Sequence, residues 1–322
     1  MGLVFETRPA VITEANLTFM RKLGCTKVQI GVQSLDEDKM IGSDRPTSKK
    51  TVADAFALLR KFGFKIHAHF MANLPGSTPE NDKSDFEELV TNPAFLPDEI
   101  KLYPCMLVES ARLNKLAKSG KWQAYDEDVL VDVLVDDVLK TPAYTRISRM
   151  MRDISSTDIT QGVKKTNLRQ KVEETAEETA KALGVTIQEI RHREINLTKV
   201  DVNDFVMNDI EYKTATTTEH FLQFVTSDNK ILGFLRLSLP EGETAMIREV
   251  HVYGQVANIG SSSTNAQHLG LGTKLIDKAK EIAVSSGYKN LNVISAIGTR
   301  QYYLSRNFST YTTNHLYQPC NL

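Results

Sequence analysis

The stretch Gln267-His268-Leu269-Gly270-Leu271-Gly272 decides how this chain is read. Its form is Q-x-x-G-x-G. Two residues without side chains let main-chain N–H groups come close to a pyrophosphate, and a helix starting there adds the positive end of its dipole. No Gly-Lys-Ser/Thr ending follows, so this is not a Walker loop, and the spacing is not the dinucleotide G-x-G-x-x-G. Alone, the stretch has two readings: a diphosphate-binding loop, or a glycine turn ahead of a surface helix.

The flanks favour the first. Gly272, Leu275, Ile276, Ala279, Ile282 and Ala283 fall at the i, i+3, i+4, i+7 spacing of an amphipathic helix, which Ser285-Ser286-Gly287 ends. Upstream, Ala245 to Tyr253 alternates as a half-buried strand, and Asn290 to Ser295 is a second short strand. Strand, glycine loop, helix and strand, in that order, fit the pyrophosphate loop of acyl-CoA-dependent N-acetyltransferases. The expected carrier contacts are Gln267, Gly270, the amides from Leu271 through Gly272 and Thr273 to Lys274, and the strand end at His251, Val252 and Tyr253. Further on, Tyr302 and Tyr303 are the candidate general acids. Tyr303 stands four residues before Asn307-Phe308, where that superfamily often has Gly-Phe, and Asn tolerates the left-handed region better than most residues. The other reading of Tyr303 is a buried aromatic with a satisfied hydroxyl. His251 is either a base or a strand histidine facing a neighbour.

Composition bounds the rest. A chain of 322 residues is long enough for two domains, and 41% apolar with 25% charged content is ordinary for a globular protein. No apolar run approaches a membrane span, and the N-terminus does not read as a signal peptide. Cys25, Cys105 and Cys320 are odd in number and far apart, giving neither a disulfide framework nor a zinc spacing. A reducing, cytoplasmic setting is expected.

The chain is expected to divide near residue 190, into segments 1–190 and 191–322. The first part alternates helices at Ile12 to Leu23, Ser48 to Phe62, Ser84 to Thr91 and Val129 to Leu139 with strands at Lys27 to Gln33, Lys65 to Ala72, Glu99 to Pro104 and Tyr144 to Met150. Such β-α units predict a parallel sheet with right-handed crossovers. Four or five units are too few for an eight-fold barrel, so a partial (β/α) barrel or open sheet is expected. Lys171 to Ala182 is charged and reads as a solvated helix bridging the two parts. From Arg146 to Arg169, six basic residues (Arg146, Arg149, Arg152, Lys164, Lys165 and Arg169) face only Asp153 and Asp158. This is either a phosphate-neutralising patch or a basic face paired with the acidic run at Asp126 to Asp137. Arg191, His192 and Arg193 would extend it toward the junction.

These features, with Glu6-Thr7-Arg8-Pro9, Gly31-Val32-Gln33-Ser34, Leu74 to Glu80, Lys101 to Cys105, Gly162 to Gln170, Arg248 to Gly254 and Ser295 to Gly298, closely resemble the family of Elongator catalytic subunits across nearly all of the chain. The resemblance implies a radical-S-adenosylmethionine (radical-SAM) domain followed by a GNAT-type acetyltransferase domain, acting together on the wobble uridine of tRNA with acetyl-CoA as acyl donor. It also implies tRNA and other Elongator-type subunits as partners, with no membrane. Arg8, Gln33 and Lys101 would line an S-adenosylmethionine pocket.

The family's C-x4-C-x2-C run, which ligates an iron–sulfur cluster, is missing from these 322 residues, as are the first barrel strands. The chain then reads as a shortened form or a natural short form, with the radical step expected to be absent. His192 stands where a junction cysteine is usual, so no zinc is expected. Three function classes remain open: a tRNA-dependent acetyl-CoA enzyme, a protein lysine acetyltransferase, and a non-catalytic tRNA-binding module.

Overall fold

The structure is a computed structural model describing residues 2–151, 154–155, 157–164, 167–195, 205–253, 270–310 and 316–322. The first half carries strands β1 (Leu3–Thr7), β2 (Cys25–Gln33), β3 (Lys65–Ala72), β4 (Glu99–Pro104), β5 (Leu107–Val108), β6 (Arg146–Arg149) and β7 (Ile159–Gln161). Between and after them run helices α1 (Glu14–Lys22), α2 (Glu37–Gly42), α3 (Lys49–Lys61), α4 (Pro79–Thr91), α5 (Leu113–Lys118), α6 (Glu127–Lys140) and α7 (Leu168–Leu183). After α8 (Ile190–Arg193) come β8 (Phe205–Lys213), β9 (Thr217–Thr226), β10 (Ile231–Pro240), β11 (Ala245–Val252), α9 (Leu271–Ser285), β12 (Asn290–Val293), α10 (Arg300–Leu304) and β13 (Gln318–Asn321).

In the first sheet the strands lie in the order β1-β2-β3-β4-β6, every neighbouring pair parallel. This is the expected open parallel sheet. One face is apolar: Val28, Ile30, Ile66, Ala68, Phe70, Ile100 and Leu102 are buried against the crossover helices. Helix α3 shows how the pattern works. The Ser48 hydroxyl accepts the Thr51 N–H at 3.1 Å, and Val52, Ala55, Phe56 and Leu59 form the buried stripe. Gly63, at φ 74°, ends it. Helix α4 starts earlier than expected, at Pro79 behind the Thr78 cap, because its polar first turn carries no apolar stripe to read.

Helix α7 corrects the reading of a solvated bridge. It buries Leu168, Val172, Ala176 and Ala180 in the core of the first sheet and packs against α6, leaving its glutamates outside.

The second sheet has the order β13-β12-β11-β10-β9-β8, antiparallel except for the β11–β12 pair. That pair runs parallel from Ala245↔Leu291 only to Ile247↔Val293; beyond it β11 continues to Val252 paired with β10 alone, its other edge open. The two strands therefore splay, and α9 packs against this sheet. A bulge interrupts β11: Glu249 faces Arg236 and Ile247 faces Leu237, so Arg248 has no cross-strand partner on β10.

The two sheets are joined through buried charge. Arg248, fully buried, donates from Nη1 and Nη2 to the two carboxylate oxygens of Asp98, each at 2.7 Å, and from Nε and Nη2 to Glu219 at 3.1 and 2.9 Å. Arg236 bridges Glu249 at 3.0 Å and Asp98 at 3.4 Å, and Lys65 of β3 pairs with Glu249. Met246 and Ile294 of the second sheet lie in the first sheet's core cluster.

Candidate functional site

Past Ile247, the free length of β11 forms one wall of a groove of about 320 Å³, lined by Val250, Val252, Gly270, Gly272, Thr273, Thr299, Tyr302, Tyr303 and Arg306. Gly270 is the residue before α9 and sits at φ 67°, where a side chain is strained. A methyl on Gly272 would overlap the Tyr302 hydroxyl. Gly270 is thus favoured by the backbone and Gly272 by the Tyr302 side chain above it, and the N–H groups of the first turn of α9, which lack partners within the helix, open beside the groove.

Tyr302 and Tyr303 both lie on α10 and line the groove. Tyr303 is buried, edge-on to Tyr302 at 5.3 Å and to Phe308 at 5.6 Å. Burial raises its pKa well above the ordinary tyrosine range, and among the described residues its hydroxyl has no hydrogen-bond partner. Such a group holds its proton at neutral pH and can give it to an adjoining anion. Burial also raises Tyr302. Asn307, at φ 66°, keeps the left-handed turn expected of the glycine position.

The other expected carrier contacts divide. Val252 lines the groove, whereas Leu271 is buried in the core and Lys274 is exposed. His251 and Tyr253 do not line it. His251 stacks on Phe234 at 5.5 Å, and the Tyr253 hydroxyl donates to Glu194 at 3.1 Å. Gln267 lies outside the described residues. Arg306 belongs to the groove and was not singled out from sequence. An arginine one turn past a tyrosine pair carries no spacing signal.

The other face of the first sheet is polar. Lys101 donates to Gln29 at 2.7 Å, His69 lies 3.3 Å from the same oxygen, and Glu99 holds Lys27 and Lys65 at 2.9 and 3.0 Å. His67 bonds Ser148 at 2.8 Å, and burial drives its pKa down to about 3. Gln33 ends β2, buried at φ 70°, while Arg8 is exposed after β1. Lys101 thus lies within this polar network, whose other members sequence reasoning passed over. Strand alternation shows that one face is polar but not that these groups meet.

Residues 97–178 match the Radical_SAM C-terminal domain family, and residues 174–308 match the acetyltransferase (GNAT) family. The tRNA uridine(34) acetyltransferase of Dehalococcoides mccartyi (strain CBDB1) is 33% identical over 333 residues, 98% of this chain and 72% of that protein. The solved structure of Methanocaldococcus infernus Elp3 with an N-terminal deletion superposes with a TM-score of 0.89 at 31% identity, covering all of this chain and 78% of that one. The chain belongs to the Elongator complex protein 3 family. Human Elongator complex protein 3 is 35% identical over 319 residues, 94% of this chain. The chain spans 58% of that human protein's length. Its fold is a radical-SAM-like domain followed by a GNAT-like α/β domain.

The three cysteines of this Elongator-type chain do not gather into a cluster-binding triad. Cys25 begins β2, Cys105 follows the far end of β4, and Cys320 is on β13 in the other sheet. Of the basic residues, Arg146 pairs with Glu194 at 2.5 Å, and Arg169 with Glu173 at 2.6 Å. Arg149 ends β6, and Lys164 is exposed. Arg152 and Lys165 lie outside the described residues. The carboxylates that pair with Arg146 and Arg169 lie outside the acidic run at Asp126 to Asp137, in which Glu127 and Asp128 take Lys171. Arg193 is no part of a basic surface. It is buried, donating to Gln223 at 3.0 Å and to the Ala143 carbonyl at 2.7 Å. No helix among the described residues is long and apolar enough to cross a membrane.

Proposed function

We propose that the chain is a tRNA-dependent acetyl-CoA enzyme acting on the wobble uridine of tRNA, divided into a tRNA-binding domain at 1–190 and an acetyl-CoA-binding domain at 191–322. The observation that carries this reading is the groove between the splayed end of β11, the first turn of α9 and Tyr303. Acetyl-CoA supplies an acyl group as a thioester. The first turn of α9, behind Gln267, Gly270 and Gly272, binds its diphosphate. The edge of β11 at Val250 and Val252 holds the pantetheine arm. As water or the tRNA-borne acceptor bonds to the acyl carbon and the C–S bond breaks, Tyr303, which keeps its proton because it is buried, hands it to the departing sulfur. Tyr302 positions the carrier over Gly272.

Arg146, Arg149, Arg152, Lys164, Lys165 and Arg169 are the proposed tRNA contacts; Arg146 and Arg169 would exchange a carboxylate for a phosphate. Arg8, Gln33 and Lys101 are proposed contacts for S-adenosylmethionine on the polar side of the first sheet. The setting is cytoplasmic, with other Elongator-type subunits as partners. The relative named as a tRNA uridine(34) acetyltransferase supports the substrate class.

Thioester turnover measured with and without tRNA tests the reading, and it should rise when tRNA is added. Peptide-lysine acetylation indifferent to tRNA would replace this reading with that of a protein acetyltransferase. Salt-steep tRNA binding without acetyl-CoA binding would reduce it to a binding module.

A further inference from the structure

Arg306 is held more firmly than a groove-side arginine ordinarily is. Its Nε and Nη2 donate to the Thr273 hydroxyl oxygen at 3.1 and 3.0 Å. Its Nη1 donates to the Tyr302 carbonyl at 2.8 Å and to the Ser305 hydroxyl at 3.0 Å. The guanidinium carbon lies 3.6 Å from the centre of the Tyr302 ring. Guanidinium has five N–H groups, and these contacts use four of them. No carboxylate among the described residues pairs with it, and the first turn of α9 carries no acidic residue.

Thr273 lies in that first turn and spends its oxygen lone pairs on Arg306. Among the described residues its own O–H has no acceptor. The result is a fixed cation, a hydroxyl hydrogen and first-turn amides without intrahelical partners, from a helix 15 residues long, all on one wall of the groove. Every one of them donates and none accepts. The groove also contains the buried Tyr303 hydroxyl, which has no partner among the described residues. An anion arriving here replaces water at donors already in place, so little side-chain ordering opposes its binding.

We propose that Arg306, clamped between the Tyr302 ring and the Thr273 hydroxyl, is the side-chain ligand for the diphosphate of the acyl carrier. This rests on the acyl-carrier reading above and adds to it a residue outside the glycine loop. The glycine loop supplies main-chain donors and a partial charge. Arg306 supplies the full positive charge, and Tyr302 and Thr273 act on the diphosphate through it as positioning residues.

Titration of the full chain with coenzyme A, 3′-dephospho-coenzyme A and pantetheine tests the assignment. In Arg306→Ala, binding of both diphosphate-bearing ligands is expected to weaken by the same factor, about tenfold, the loss ordinary for one charge-assisted contact. Pantetheine binding should not change. Arg306→Gln keeps N–H donors for Thr273 and removes the charge, so it should lose as much as Arg306→Ala; it is read instead if the alanine variant does not fold. Three outcomes overturn the assignment. A loss confined to coenzyme A would move Arg306 to the 3′-phosphate. A loss shared by pantetheine would make its role structural. Full binding by Arg306→Gln would show that the charge does nothing. Absence of coenzyme A binding by the unsubstituted chain would instead remove the acyl-carrier reading, and this inference with it.

Discussion

Asp98→Asn should cost the chain much of its stability without touching the groove. The Asp98 carboxylate accepts from both Nη1 and Nη2 of Arg248 at 2.7 Å, accepts the Ile66 N–H at 2.8 Å, and lies 3.4 Å from Arg236. All three side chains are buried. Burial alone would raise the pKa of Asp98; Arg248 and then Arg236 outweigh it and hold the carboxylate far below its usual range. Asparagine keeps the shape but removes the charge that two buried guanidiniums share. Breaking a buried pair in this way costs about 3–5 kcal/mol, because the remaining charge stays buried without compensation.

Denaturant unfolding, followed separately by a probe in each sheet, measures the effect. The second sheet should unfold at a lower midpoint than in the unsubstituted chain. The sign with pH follows from the direction of the shift. A carboxylate whose folded pKa lies below its unfolded value of about 3.9 contributes stability above that pH and loses it as pH falls further. The difference between Asp98→Asn and the unsubstituted chain is therefore full at neutral pH and shrinks below about pH 4. Equal unfolding free energies at pH 7 would refute the argument that this carboxylate joins the sheets.

Tyr303→Phe removes the proposed proton donor while keeping the ring; kcat for thioester turnover should fall about a hundredfold with KM nearly unchanged, read from steady-state kinetics. His67→Asn should flatten the pH dependence of stability. The folded pKa of about 3 lies below the ordinary 6.5, so the unfolded chain takes up a proton that the folded one refuses, and stability drains as pH falls through that interval. Unfolding free energies at pH 7 and pH 5 should differ less in the variant. Lys164→Ala with Lys165→Ala should weaken tRNA binding, lower its salt slope by about two and leave coenzyme A binding intact, as read from binding isotherms across a salt series.

The first sheet was legible because its strands show two-residue alternation and its helices carry a stripe and a cap. Strands β3 and β4 match their expected limits at Lys65–Ala72 and Glu99–Pro104. Strands β9 and β10 gave no such signal. They are buried on both faces, so Phe221, Leu222, Leu232 and Leu235 do not alternate with exposed polar residues, and Glu219 and Gln223 are polar yet buried. Helix α7 misled because a single stripe of Val172, Ala176 and Ala180 is narrow beside its glutamates and lysines.

At the groove, the glycine loop and both tyrosines could be read in advance from local spacing. Arg306 and the Asp98–Arg248 joint could not. The joint unites residues 150 positions apart, and no local pattern records such a meeting.

The irregularity in β11 also fixes which chemistry each side of that strand presents. Because Arg248 is an extra residue, it and Glu249 both turn toward the first sheet in succession, to Asp98 and Lys65, and the valines at 250 and 252 keep the opposite side. Deleting Arg248 would restore regular pairing, with Ile247 still opposite Leu237, Glu249 still opposite Arg236, and both valines on the side they already hold. What would vanish is the guanidinium between Asp98 and Glu219, leaving two buried carboxylates with one cation fewer. The surplus position thus lets a single strand fasten one domain to the other and still offer an unbroken apolar flank on its far side.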